Sequence, residues 1–133
     1  MIALFSNEEN KLKLRFLITG FVNTVFGYFC GVIIYNNFYD KISIVYIGLI
    51  SNFISISFSF LTNKFFVFKK SKGSFLFQYF KSFLTHGLIV IIGVFTLWFS
   101  ISLLFLNIYL AQAAVVGISI ILLYLLHKKF TFK

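Results

Sequence analysis

The sequence predicts an all-α membrane protein with four transmembrane helices, arranged as two parallel two-helix repeats with both termini in the cytoplasm. Three observations predict this fold: the composition, the spacing of the charged residues and a phrase that occurs twice. The 133 residues are 60% hydrophobic and only 11% charged, whereas soluble domains carry about 25% charged residues. Because such a chain has too little polar surface to cover a globule in water, we expect it to lie in a bilayer.

Charged residues divide the chain into three uncharged runs, at 16–39, 42–63 and 82–127. A helix needs about 20 residues to cross the hydrocarbon core, so each of the first two runs is expected to hold one span. The third run is long enough for two spans, and "FLNIYLAQ" at 105–112 is the best place for the turn between them. We therefore expect a single transmembrane domain over residues 1–133, with spans near 16–38, 43–63, 82–104 and 110–127.

The basic residues lie almost entirely on one side of this predicted membrane topology. With four spans, the N-terminal arm, the central loop and the tail share one side, and Lys41 is the one basic residue on the other. The positive-inside rule places the basic side, with both termini, in the cytoplasm. Topology thus accounts for the net charge of +9, and nucleic acid is not expected as a partner because no soluble domain is predicted to bind it.

A basic and aromatic phrase closes both the second and the fourth predicted spans. "NKFFVFKK" at 63–70 and "HKKFTFK" at 127–133 align with a shift of 64 residues, and "RFLITG" at 15–20 is similar to "SFLTHG" at 82–87. Each half would hold an even number of spans, so the two copies would share one topology, as in transporters built from parallel repeats. The alternative is convergence, because lysine and aromatic residues favour any cytoplasmic exit from a membrane.

Polar side chains inside the spans are the candidate functional residues, because lipid offers them no water as a hydrogen-bond partner. Asn23 lies in the first span, and His86 lies near the start of the third. The second span carries a polar stripe on one helical face, at spacings of three and four residues: Asn52, Ser55, Ser59 and Asn63. The structural alternative is that small residues serve helix packing and that serines bond to their own backbone.

The residues that are absent exclude several function classes. No Asp or Glu lies in any predicted span, and a proton-coupled exporter normally needs an intramembrane carboxylate. The chain has a single cysteine, Cys30, and too few grouped ligands for a metal. No arrangement of nucleophile, base and acid is evident either. Neither an enzyme activity nor a cofactor nor a bound metal is therefore expected.

Two segments of the chain resemble the GtrA-like family of small four-span membrane proteins. "RFLITGFVNTVFGYF" at 15–29 is similar to the first span of that family, and "SNFISISFSFLTNKFFVFKK" at 51–70 is similar to its second span and cytoplasmic exit. The tail "LLHKKFTFK" repeats that exit, as it does in the family. Lys64 stands where arginine is commoner, and lysine lacks the bidentate phosphate binding of arginine.

The resemblance implies translocation, or flipping, of a lipid-linked sugar for cell-envelope polysaccharide biosynthesis. Members are proposed to move a polyprenyl-phosphate-linked sugar from the cytoplasmic to the outer leaflet of the bacterial inner (cytoplasmic) membrane, beside a membrane-bound glycosyltransferase. Basic residues would then capture the phosphate: Arg15, Lys64, Lys69 and Lys128. Polar residues would give the sugar a path across the core: Asn23, Asn52, Ser55, Ser59, Asn63 and His86.

Two further roles remain as alternatives. The chain could be a membrane adaptor subunit that docks or stabilises a glycosyltransferase without moving lipid. A small-molecule exporter is less expected because the intramembrane acid is missing. A four-helix bundle of this size has little room for a sugar inside, so we expect a homo-oligomer with the path between protomers or open to lipid.

Overall fold

The computed structural model describes residues 2–133, with side chains from residue 7 onward, and this part of the chain is helical without strands. The α-helices are α1 (Ile2–Phe38), α2 (Ile44–Thr62), α3 (Phe75–Ser102) and α4 (Ile108–Leu126), and the π-helices are π1 (Asn63–Val67) and π2 (His127–Thr131). All four α-helices are long and apolar enough to cross a membrane. The prediction of an all-α protein with four membrane-spanning helices is confirmed.

The helices form two compact units, Met1–Ser71 and Lys72–Lys133. In unit 1, α1 packs along α2 and π1, and in unit 2, α3 packs along α4 and π2. Each unit therefore holds one pair of adjacent helices whose second member ends in a π-helix. The single-domain organisation, the parallel repeat and the cytoplasmic position of the termini stay predictions.

Helix α1 begins well before the predicted span at 16–38. Its 37 residues correspond to about 55 Å of helix, whereas the hydrocarbon core is about 30 Å thick. The first turns of α1 carry two exposed ion pairs, Lys11 with Glu8 at 3.4 Å and Lys13 with Glu9 at 3.6 Å. Such pairs, spaced three or four residues apart, stabilise a helix by about 0.3 kcal/mol each. The segment predicted as an N-terminal arm is thus helical as well.

Helix α3 also begins before the predicted span at 82–104, at Phe75. The charge of Lys81 had marked the expected end of the central loop, but this side chain is only 9% exposed. Its Nζ atom donates to the main-chain oxygen of Phe130 at 2.7 Å and lies over the Phe77 ring at 4.9 Å. Because these contacts satisfy the ammonium group, the helix continues through it.

The turn between α3 and α4 lies at residues 103–107, at the beginning of the predicted stretch 105–112. Phe105 adopts a left-handed backbone conformation there, with φ 54°. The Asn107 side chain accepts a hydrogen bond from the Leu110 amide at 2.9 Å and so caps α4. This cap satisfies one of the free amides at the start of the helix, which explains why α4 begins just after Asn107.

Both basic and aromatic phrases form a π-helix. The amide of Phe68 bonds to the Asn63 oxygen at 2.7 Å, and the amide of Phe132 bonds to the His127 oxygen at 3.0 Å. The two π-helices are thus offset by the same 64 residues as the phrases. Single π-turns are frequent at functional sites because they redirect the side chains that follow. In unit 1 those side chains include Lys69.

A glycine allows α1 and α2 to approach closely. A Cβ atom at Gly27 would lie 3.2 Å from Ser55 Oγ, and the neighbouring rings of Phe26 and Phe58 stack with their centroids 3.8 Å apart. Small residues let backbones come together where no hydrophobic effect drives membrane helices into contact. Ser55 therefore packs against α1.

Candidate functional site

A groove of about 380 Å³ lies in unit 1, between α1 and the segment formed by the end of α2 and π1. A volume in this range suits a small ligand or part of a larger one. Its lining combines two basic, three apolar and two hydroxyl side chains: Arg15, Lys69, Ile18, Val22, Phe66, Thr19 and Thr62.

The lining of the groove follows directly from helical geometry. Arg15, Ile18, Thr19 and Val22 are spaced by three or four residues and therefore share one face of α1. On the other wall, Thr62 ends α2, and Phe66 and Lys69 follow in and after π1. The π-turn thus contributes to the wall that faces α1.

The groove is positively charged. Arg15 and Lys69 both line it, and no Asp or Glu does. Two of the three acids in the sequence, Glu8 and Glu9, instead form ion pairs with lysines in the first turns of α1. Two cations beside apolar walls raise the local potential and attract an anion. Arginine binds a phosphate in bidentate fashion and lysine binds it as a point charge.

A polar network lies beside the groove and joins α1 to α2. Asn23 Nδ2 donates to Ser59 Oγ at 3.2 Å, and Thr62 Oγ1 donates to Asn23 Oδ1 at 2.8 Å. Asn63 Nδ2 donates to the main-chain oxygen of Ser59 at 2.8 Å. Because Thr62 also lines the groove, this network fixes one of its walls relative to α1.

The structure brings together two of the four residues predicted to bind phosphate. Arg15 and Lys69 share the groove. Lys64 lies in π1 outside the groove lining, with its Nζ atom 3.5 Å from Ser71 Oγ. Lys128 belongs to unit 2, where its Nζ atom lies 5.7 Å from the centre of the Tyr124 ring.

The six residues predicted to form a sugar path fall into four groups, and one of these is Ser55, which packs against Gly27 of α1. Asn23, Ser59 and Asn63 belong to the polar network. Asn52 is exposed and its amide makes no hydrogen bond within the described residues. His86 belongs to unit 2, where its Nδ1 atom lies 2.8 Å from the Ser82 main-chain oxygen. A role for these side chains in sugar passage stays a prediction.

Unit 2 contains a buried polar cluster that sequence reasoning missed. Lys81 bonds to the Phe130 oxygen, and the hydroxyls of Thr85 and Thr131 lie 2.8 Å apart. The cluster ties the start of α3 to π2. Lys81 and Thr85 are four residues apart and therefore lie on one helical face. This spacing is the feature of the sequence that could have indicated the cluster. Within the described residues, no group of three or more His, Cys, Asp or Glu side chains could hold a metal.

Replacing Lys81 with methionine is expected to loosen the end of the chain. The Lys81→Met variant keeps much of the side-chain volume but loses the hydrogen bond to the Phe130 oxygen and two cation–π contacts. We expect a loss of about 2 kcal/mol in the free energy of unfolding. Hydrogen exchange should be faster at the amides of π2, and the melting temperature in detergent should fall by a few degrees.

The control for this prediction is Lys129→Met, which removes an exposed lysine from the same segment. It should leave both exchange and melting unchanged. If the Lys81 and Lys129 variants behaved alike, the contact with the Phe130 oxygen would contribute nothing to the stability of the tail.

Comparison with known proteins connects this architecture to a family. Residues 15–132 match the family model described as GtrA/DPMS, transmembrane domain. No curated protein matches the chain, and no solved structure does. The family match covers nearly the whole chain and confirms the resemblance noted from its two signature segments. The chain belongs to the GtrA/DPMS transmembrane-domain family and is a multi-pass membrane protein of a family involved in handling lipid-linked sugars.

Proposed function

We propose that this protein moves a polyprenyl-phosphate-linked sugar from the cytoplasmic to the outer leaflet of the bacterial inner membrane, for glycosylation of a cell-envelope polysaccharide. The observation that carries the proposal is the groove of unit 1, where Arg15 and Lys69 lie beside apolar walls. Membership of the GtrA/DPMS family supports a lipid-linked sugar as the substrate and a membrane-bound glycosyltransferase as the partner.

The chemistry of the groove matches the chemistry of this substrate. A polyprenyl-phosphate sugar joins a hydroxyl-rich head to a long apolar tail through an anionic phosphodiester. Arg15 and Lys69 supply charge-assisted hydrogen bonds to the phosphate, each contributing about 1.5 kcal/mol or more. Ile18, Val22 and Phe66 offer apolar surface to the tail. The predicted orientation places Arg15 and Lys69 at the cytoplasmic interface, where such lipids are made.

Transport in this proposal is passive. The phosphate is the charged part of the lipid, and an unpaired charge in the hydrocarbon core is costly. Pairing it with cations of the protein lowers that cost during crossing. Because no Asp or Glu occurs between Lys41 and the end of the chain, the last three helices hold no acid for proton coupling. Consumption of the sugar at the outer face by the partner enzyme drives the net movement.

A reconstituted leaflet assay tests the proposal. Vesicles with and without purified protein receive a polyprenyl-phosphate sugar, and an impermeant reagent reports the fraction that reaches the opposite leaflet. We expect crossing that depends on the protein and grows with its amount. Crossing no faster than in empty vesicles, together with retained binding of the glycosyltransferase, would contradict transport and support the adaptor function instead.

A further inference from the structure

We infer that the groove of unit 1 holds the phosphate and the adjoining isoprenoid units of the carrier lipid, while the sugar stays outside it. The inference rests on the proposed function and deepens it, because it states which part of the substrate the protein recognises. It implies that the protein accepts carriers with different sugars and that the partner glycosyltransferase determines which sugar is used.

The groove has a charged end and an apolar end. Along α1, Arg15 comes first and Val22 lies about two turns further into the helix. Helix α2 runs back towards the start of α1, so Lys69, after π1, belongs to the same end as Arg15. A linear molecule with its phosphate between these two cations therefore extends its apolar chain along Ile18 and Val22.

The order of groups in the substrate then determines where the sugar lies. The phosphate joins the sugar on one side to the isoprenoid chain on the other. If the isoprenoid chain follows α1 from Arg15 towards Val22, the sugar points the opposite way, past the charged end of the groove. In that direction α1 carries its exposed ion pairs, beginning with Lys13 and Glu9. These ion pairs give α1 a polar, exposed surface in that direction.

The lining of the groove would also bind a sugar poorly. No Asp, Glu, Asn, Gln or His side chain lines it, and the Thr62 hydroxyl already donates to Asn23 Oδ1 at 2.8 Å. Sugar hydroxyls moved into this groove would lose hydrogen bonds to water and gain few in return. The walls are apolar side chains that remain substantially exposed, at 57% for Ile18, 47% for Val22 and 61% for Phe66. Such walls suit an isoprenoid chain that enters from the side.

A competition experiment with the purified full-length protein in lipid nanodiscs tests the inference. The probes are farnesyl phosphate, its glucosyl and mannosyl esters, farnesol and glucose 1-phosphate. We expect the glucosyl and mannosyl esters, which carry the same charge, to bind with affinities within about threefold of one another, and farnesyl phosphate, which carries an additional negative charge, to bind at least as tightly. Farnesol and glucose 1-phosphate should bind at least about tenfold more weakly than the glycosyl esters. These results would show that the phosphate and the isoprenoid chain are both needed and that the sugar is not.

A variant that fills the apolar end of the groove gives a second measurement. Val22→Trp should weaken binding of farnesyl phosphate by about tenfold or more, because the ring occupies the path of the chain. The matched control is Val45→Trp, which changes an exposed valine at the start of α2, far along the helix from the groove and outside its lining. The melting temperature of each variant shows whether that variant is folded. The competition experiment uses the wild-type protein and therefore does not depend on the folding of the variants.

Two results overturn the inference and leave the proposed function intact. One is a difference of about tenfold or more between the glucosyl and mannosyl lipids, and the other is effective competition by glucose 1-phosphate. Equal binding of farnesyl phosphate to the Val22 and Val45 variants, when both are folded, would overturn the placement of the chain. Failure of every phosphate-bearing lipid to bind the wild-type protein would overturn the proposed function as well.

Discussion

The double variant Arg15→Gln/Lys69→Gln is expected to bind farnesyl phosphate about 100-fold more weakly than the wild-type protein. Each substitution removes a charge-assisted hydrogen bond to the phosphate, and the loss of both corresponds to about 3 kcal/mol. Both side chains are exposed at the groove, so the fold and the melting temperature should be unaffected. Binding of farnesyl phosphate in nanodiscs measures the loss of affinity, and a melting curve of the same variant shows whether the fold is retained.

The control for this prediction removes two charges from the same part of the chain. Lys70 and Lys72 are exposed and do not line the groove, so Lys70→Gln/Lys72→Gln lowers the net charge equally. We expect only a small loss of affinity, which salt should reduce further, because exposed charges act over distance and are screened. Equal losses in the two double variants would mean that the lipid responds to net charge and not to the groove.

The Asn23→Leu variant is expected to lose about 2 kcal/mol in the free energy of unfolding. It removes both hydrogen bonds that Asn23 makes across the interface between α1 and α2, to Ser59 and to Thr62. Hydrogen bonds between membrane helices contribute about 0.6 kcal/mol on average and up to about 1.7 kcal/mol. Because the network holds a wall of the groove, affinity for farnesyl phosphate should fall as well. Unfolding in mixed detergent and the binding assay measure the two effects.

Asn52→Leu is the matched control for Asn23→Leu. It also replaces an amide with an apolar side chain inside a spanning helix, but Asn52 is exposed and makes no hydrogen bond within the described residues. We expect its free energy of unfolding to change by less than about 0.5 kcal/mol. A larger loss in the Asn52 variant than in the Asn23 variant would contradict the assignment of the interface between α1 and α2.

The fold was predictable because the bilayer limits both the sequence and the structure. It excludes charged residues from the spans, and it offers the backbone no water as a hydrogen-bond partner. Uncharged runs must cross the hydrocarbon core as helices, since only then are their backbone groups satisfied. The same reasoning did not show that α3 extends from the predicted span back to Phe75, because it took Lys81 as the edge of a loop. A lysine can remain inside a helix when a carbonyl and aromatic rings surround its ammonium group, as those of Phe130 and Phe77 do here. Phe77 lies in the preceding turn of α3, but Phe130 lies far from Lys81 in the sequence. The spacing of the charged residues therefore could not show that Lys81 has these partners.

The candidate site was predictable only in part. Arg15 and Lys69 were both expected to bind the phosphate, and they line the same groove. Periodicity grouped Asn52 with Ser55 and Ser59 because residues three and four apart lie on neighbouring parts of one helical face. The face that contacts α1 is rotated slightly, so that it carries Ser55 and Ser59 but leaves Asn52 exposed. Helical spacing alone cannot distinguish two such overlapping faces.

The π-helices were not predictable from the sequence. A π-turn requires each amide to bond one residue further back than in an α-helix, and no residue preference in "NKFFV" or "HKKFT" signals that change. In both units the residue after the π-helix, Phe68 or Phe132, is buried. The repeated basic and aromatic phrase therefore coincides with each π-helix, but it does not indicate the hydrogen-bond pattern of a π-helix.

Photochemical mapping of the bound lipid measures whether the groove of unit 1 holds the phosphate and the first isoprenoid units. A polyprenyl phosphate with a photoreactive group on its first isoprenoid unit is added to the protein in vesicles, activated and located by mass spectrometry of the peptides. We expect labelling of the groove walls, in segments 15–22 and 62–69, and loss of that labelling in Arg15→Gln/Lys69→Gln. Labelling confined to unit 2, or labelling of unit 1 that the double variant leaves unchanged, would contradict this placement of the lipid.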